Sequence, residues 1–263
     1  MEQFDFGENW YNFSRKALSK NNIEQARNDF SQLTENINLS DKTFLDIGFG
    51  QGLSILIATE NSAKTIGCDI NPKCNIALNN NRGFFKKIQD IEIPVIIGSI
   101  LNTETVNKLK SHYVKYDIVH SWGVLHHTGK MWDSIITASM LVEKSGYLII
   151  AIYNKHWTSK IWLVVKRTYN FAPKFLRKLM LFLYIPLLFF RTLFSGIKNL
   201  QQTRGMNFYY DSIDWLGGYP YEYASKQEII DFLKDDFELI KFIPTWGFSG
   251  CNQFVFKRKG REI

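Results

Sequence analysis

At 263 residues, 45% hydrophobic and 22% charged, the chain is long enough for one large α/β domain, short for two, and too apolar to be disordered. Its net charge of +7 suggests a polyanionic partner until the charge is located: eleven of the 32 basic residues and none of the 25 acidic ones lie between Glu143 and Asp211. The sequence is therefore a mildly acidic body carrying one strongly basic insertion.

The first ten residues are acidic and lack an apolar run, so neither a secretory signal nor an anchor is expected, and the expected location is the cytoplasm. Residues 1–42 read as an N-terminal helical cap. Five strand-length apolar runs then alternate with helical segments: Thr43–Gly48, Lys64–Asp69, Ile93–Gly98, Tyr116–Ser121 and Gly146–Tyr153. Asn71-Pro72 and Asn102-Thr103 open two of the intervening helices. Residues 155–224 read as a helical insertion and substrate lid. A capping box, Ser225-Lys-Gln-Glu228, then starts a helix to about Lys234, and the strands Phe237–Thr245 and Asn252–Lys257 close the core. This order predicts an α/β fold, a doubly wound seven-stranded sheet with residues 43–154 as its cofactor-binding core. The three cysteines, Cys68, Cys74 and Cys251, show no C-x-x-C spacing, so neither a disulfide framework nor a metal site is expected.

The first strand ends in Asp46-Ile-Gly48-Phe-Gly50-Gln-Gly52, a glycine-rich turn that opens a helix. Glycines are required where backbone turns sharply and approaches a ligand closely. The spacing is G-x-G-x-G, and Leu53 stands where a dinucleotide fingerprint has its third glycine. A carboxylate two residues ahead of the turn would repel a pyrophosphate but suits a ligand bearing an ammonium and a sulfonium, which points to S-adenosylmethionine (SAM). Asp69, ending the second strand, is placed to bond ribose hydroxyls, with Ile70 beside it for the adenine face. Ser99 and Ile100, after the third strand, sit where the adenine amino group is contacted.

The run from Tyr116 to Trp132, with Ser121, His126 and His127, resembles the segment after strand 4 of SAM-dependent methyltransferases related to the ubiquinone-biosynthesis methylases. The resemblance extends to Phe6–Trp10, Ala151–Asn154, Arg204-Gly-Met, Asp214–Glu222 and Gly250–Phe256, which together resemble a bacterial subgroup associated with surface-polysaccharide and sugar modification. It implies the class I methyltransferase fold and cofactor contacts from Asp46, Gly48, Gly50, Asp69, Ser99 and Ser121. It also implies a leading helix whose Trp10 closes over the pocket. Asn102 departs from the acidic residue expected at its position.

Methylating a hydroxyl requires a general base, whereas an amine need only arrive neutral. His126 and His127 follow the fourth strand on the substrate side of the sheet and are the candidate bases, though each also reads as a histidine bonding backbone at a helix start. Asp214–Glu222 reads either as a tight surface loop or as a lid whose aromatics cover a sugar while Asp214 or Glu222 binds its hydroxyls. The apolar run Leu179–Phe190 is too short to span a bilayer, and Pro186 should break or kink a helix there. Residues 175–200 then form a packed cap or homodimer contact, a peripheral membrane contact at the inner membrane face, or a lip for an anionic substrate. The resulting expectation is an O-methyltransferase for a hydroxyl of a sugar or similar polar small molecule, free or activated by a nucleotide or phosphate. A quinone or lipid methyltransferase, a tRNA methyltransferase and a non-catalytic SAM-binding protein are the alternatives. No nucleic-acid partner is expected, because the cations are interleaved with apolar stretches and no RNA-binding module is evident.

Overall fold

A computed structural model describes residues 4–194, 208–245 and 250–260. Two helices, α1 (Phe6–Lys16) and α2 (Lys20–Leu33), precede the sheet. The sheet then builds up as β1 (Thr43–Ile47), α3 (Leu53–Glu60), β2 (Lys64–Asp69), α4 (Pro72–Arg82), β3 (Val95–Ile97), α5 (Thr103–His112), β4 (Tyr116–Trp122), α6 (Met131–Met140) and β5 (Val142–Tyr153). Helices α7 (Ser159–Phe171), α8 (Lys174–Phe194) and α9 (Phe208–Gly217) follow, and α10 (Lys226–Leu233), β6 (Phe237–Ile243) and β7 (Cys251–Arg258) complete the core. The strand order is β3-β2-β1-β4-β5-β7-β6, with β7 antiparallel to both its neighbours.

Alternation along the central strands explains why both faces of the sheet are covered. Leu45, Val119, Leu148 and Ile150 point into one apolar cluster, and Phe44, Ile118 and Ile149 into the other. The helix starts follow their caps: Asn71 accepts from the Lys73 N–H at 3.0 Å, and Ser225 and Glu228 form the expected capping box. Asn102, where an acid was expected, accepts from the Glu104 N–H at 2.8 Å and caps α5.

Two local expectations are corrected. Helix α8 continues through Pro186 rather than breaking there; the carbonyl four residues earlier, deprived of its N–H partner, belongs to exposed Phe182. Asp214–Glu222 is no surface loop: its first four residues end α9, and Leu216 and Tyr221 are buried. Among the described residues no helix is long and apolar enough to cross a membrane. Arg204-Gly-Met, residues 195–200 and the side chain of Phe190 lie outside the described residues.

Candidate active site

A cavity of about 920 Å³ opens at the carboxyl ends of β1 and β4, where the strand order reverses. The glycine turn forms its floor. Gly48 (φ +71°) and Gly50 (φ +56°) hold left-handed backbone, and a Cβ would come within 2.4 Å of the Val124 side chain at Gly48 and 3.1 Å of the Trp10 indole nitrogen at Gly50. Trp10 thus lies over the turn. Its helix is tied down where α4 begins: Asn71 Nδ2 donates to Asp5 Oδ1 at 2.6 Å, and Lys73 pairs with Glu8.

The parallel register sets Asp46 beside His120 of β4. His120 Nδ1 donates to Asp46 Oδ1 at 2.7 Å, both side chains being 2% exposed. Asp46 Oδ2 and His120 Nε2 have no hydrogen-bond partner among the described residues, and both residues line the cavity. At the end of β2, Asp69 accepts from the Gly50 N–H at 3.1 Å and the Asn71 N–H at 2.9 Å. Burial raises its pKa against the pull of those donors. Ile70, 54% exposed, leaves an apolar face uncovered on the cavity wall. Ser99 and buried Ile100 line the same wall, and Ser99 Oγ accepts from the Leu101 N–H at 3.2 Å.

His127, Tyr153, Asp211, Asp214, Trp215 and Cys251 also line the cavity. His127 sits in a 3-10 turn after β4, and its Nδ1 donates to the Pro220 carbonyl at 2.6 Å, so Nε2 is the lone-pair nitrogen. Burial, helped by Lys166, pulls its pKa down to about 3. Asp214 Oδ1 accepts from Asn9 Nδ2 at 2.6 Å. Burial pushes the Asp214 pKa far up and that of Asp211 up to about 6. Asp211 keeps an exposed surface and lines the cavity, where the surrounding protein atoms desolvate its carboxylate. Behind these acids lies Lys166, fully buried, its Nζ donating to the Trp215 carbonyl and lying 4.2 Å from the Trp215 ring centroid, with Tyr153 and Tyr221 around it. Burial lowers its pKa to about 7, against an upward pull from Cys251, Asp214 and Asp211.

Four residues named from the sequence stand away from the cavity lining. Gly52 is the N-cap of α3 and packs against Leu78. Ser121 is buried and donates to the Ile47 carbonyl at 2.9 Å, joining β4 to β1. His126 points into the core against Tyr153, with ring centroids 3.9 Å apart, and burial holds its pKa well below the usual histidine value. Glu222 accepts from the Met131 N–H at 3.0 Å and caps α6, which has no side-chain cap of its own. The sequence reading passed over His120, Asn9, Lys166 and Asp211.

The family model described as "Methyltransferase domain" matches residues 19–207. The chain belongs to this methyltransferase family. Magnesium protoporphyrin IX methyltransferase (ChlM) from Synechocystis PCC 6803, with bound SAH, is similar over 90% of this chain and 83% of that one, at 15% identity and a TM-score of 0.53. A SAM-dependent methyltransferase from Anabaena variabilis ATCC 29413 is similar over 98% of both chains, at 13% identity and a TM-score of 0.53. An O-methyltransferase family protein from Burkholderia thailandensis matches 91% of this chain and 58% of its own length, at 11% identity and a TM-score of 0.55. At these identities the likeness is one of fold, the seven-stranded sheet of class I methyltransferases. No curated protein matches the chain.

The methyltransferase's cavity fits SAM. Gly48 and Gly50 let the turn pass close under Val124 and Trp10, where a side chain would collide, and Asp46 Oδ2, without a partner among the described residues, is a buried acceptor for an ammonium. Asp69 would hold the ribose hydroxyls, Ile70 and Ile100 would flank the adenine, and Trp10 would cover the ligand. Asp69→Ala is accordingly expected to weaken SAM binding by about 1.5–3 kcal/mol, roughly 10- to 150-fold, the range for a lost hydrogen bond to a charged group. Calorimetry giving an unchanged affinity in a folded variant would remove Asp69 from the site.

Proposed function

We propose that this SAM-dependent methyltransferase transfers its methyl group to a hydroxyl of a small polar acceptor, a sugar either free or carrying a nucleotide or phosphate. The observation that carries the proposal is the pairing of two carboxylates on one turn of α9, Asp211 and Asp214, with aromatic walls from Trp122, Tyr153 and Trp215 in one cavity. Aromatic faces pack against the C–H faces of a sugar, and carboxylates take its hydroxyls. When bound, SAM supplies a methyl group already activated by a sulfonium. What remains for the protein is to hold the acceptor, exclude water and accept a proton. The elevated pKa of Asp214, beside Asn9, favours its protonated form, while Asp211, at about 6, is ionised at neutral pH and takes the proton.

Methyl-labelled SAM presented with sugars, nucleotide sugars, quinones, amines and RNA tests the reading. The expected product carries the label in an O-methyl ether of a sugar, identified by NMR and mass spectrometry. Label found only on nitrogen or carbon, or only in a quinone or RNA, would overturn it.

A further inference from the structure

We propose that α7 and α8 form a docking face for an anionic lipid bilayer, an inference independent of the acceptor's identity. On α8, Phe175, Leu179, Phe182, Leu183 and Leu187 recur at helical spacing along one stripe and are each between 48% and 72% exposed. Helix α7 adds Ile161 and Val164, with Trp157 just before it, all exposed. An apolar area of this extent, lying outward on two consecutive helices, is more than the scattered exposed apolar residues of an ordinary surface.

Charge selects the occupant. Lys174 and Lys178 on α8 and Lys160 and Arg167 on α7 are exposed, and the sequence holds no acidic residue from Lys144 to Tyr210 to neutralise them. A second copy seated on this face would oppose its own cations, whereas an anionic membrane surface attracts them. Apolar side chains on one face with cations beside them make the pattern of a helix lying in the membrane interface. The inner side of α8 faces the enzyme: Tyr184 lines the active-site cavity and meets Trp162 edge-on at 5.8 Å. Docking would therefore place one wall of the acceptor site at the lipid surface.

The full-length protein can be tested by flotation with phosphatidylcholine vesicles and with phosphatidylcholine–phosphatidylglycerol vesicles. Binding is expected to the anionic vesicles, at least about tenfold tighter than to the neutral ones, and to weaken with salt. Lys174→Gln and Lys178→Gln should each weaken it by roughly fivefold. The triple variant Leu179→Ser, Phe182→Ser, Leu183→Ser should weaken it by about a hundredfold or more, since three buried apolar side chains are lost. These positions are outward-facing, and an unchanged SAM affinity by calorimetry verifies that each variant is folded. Absence of vesicle binding by the wild type, or binding indifferent to the triple variant, overturns the proposal. So does a lipid-free dimer in sedimentation that the triple variant dissociates, which would assign the face to a second copy.

Discussion

Asp211→Asn is expected to lower turnover by about 100- to 10,000-fold, the usual worth of a positioned base, while SAM affinity changes by less than about twofold. A hydroxyl ionises far above neutral pH, so its proton must leave as the methyl group arrives, and the receiving group must be unprotonated at working pH. Of the titratable groups lining the cavity, Asp211 matches this requirement best: burial raises its pKa to about 6, high enough to bind a proton and low enough to be free of one at pH 7. Because the ionised carboxylate is the active form, turnover should fall as pH drops through about 6, and this acidic limb should vanish in the asparagine variant. His126 and His127 were the candidates from sequence, with an expected fall near 6.5 for an ordinary imidazole, and of the two only His127 lines the cavity. Its burial against Tyr153 and Phe6, helped by Lys166, leaves it a ring that stays neutral to about pH 3 despite the opposing pull of its bond to the Pro220 carbonyl, a weak proton store. If Asp211→Asn keeps turnover within about threefold at saturating SAM while His127→Ala loses it, the base is the imidazole and the carboxylate reading fails.

What the sequence made legible was what local patterning encodes. The run Lys64–Asp69 is the observed β2, the capping box at Ser225 starts α10, and the glycine turn lies at the floor of the cavity, because strand alternation, cap chemistry and positive-φ turns are written in neighbouring residues. The misses are long-range. His120 lies in an apolar strand and reads as packing; only the β1–β4 register brings it to Asp46, 74 positions away. Lys166 and Asp211 lie 45 residues apart and interact because α7 packs on α9. A signal for Asp211 did exist: it is the first carboxylate after the acid-free stretch and stands three residues before Asp214, one helical turn, in an aromatic segment. Gly217-Gly218 and Pro220 disguised that turn as a loop, yet these residues only stop a helix that has already delivered both acids. Glu222, read as acceptor-binding, was claimed instead by the open N-terminus of α6.

His120→Ala is expected to destabilise the fold by about 3–5 kcal/mol and to weaken SAM binding, and these two losses can be separated. The substitution removes the Nδ1 donor from Asp46, which is 2% exposed and has no other partner among the described residues, so a buried carboxylate is left with neither oxygen satisfied. It also leaves a void beside Phe44 and Phe30, against which the imidazole lies at centroid distances of 5.7 and 6.1 Å. Adding Asp46→Asn replaces the carboxylate by a neutral amide, so the double variant should regain part of the stability in urea unfolding. Cofactor affinity should move the other way, because the group that attracts the ammonium is then gone. His120→Asn, whose amide can still donate to Asp46, should fall between wild type and alanine in both measurements. A double variant that recovered stability and SAM affinity together would mean that Asp46 matters only to packing and touches no ligand. Recovery of stability with a further loss of affinity would place the carboxylate in the binding site and His120 as the residue that positions it.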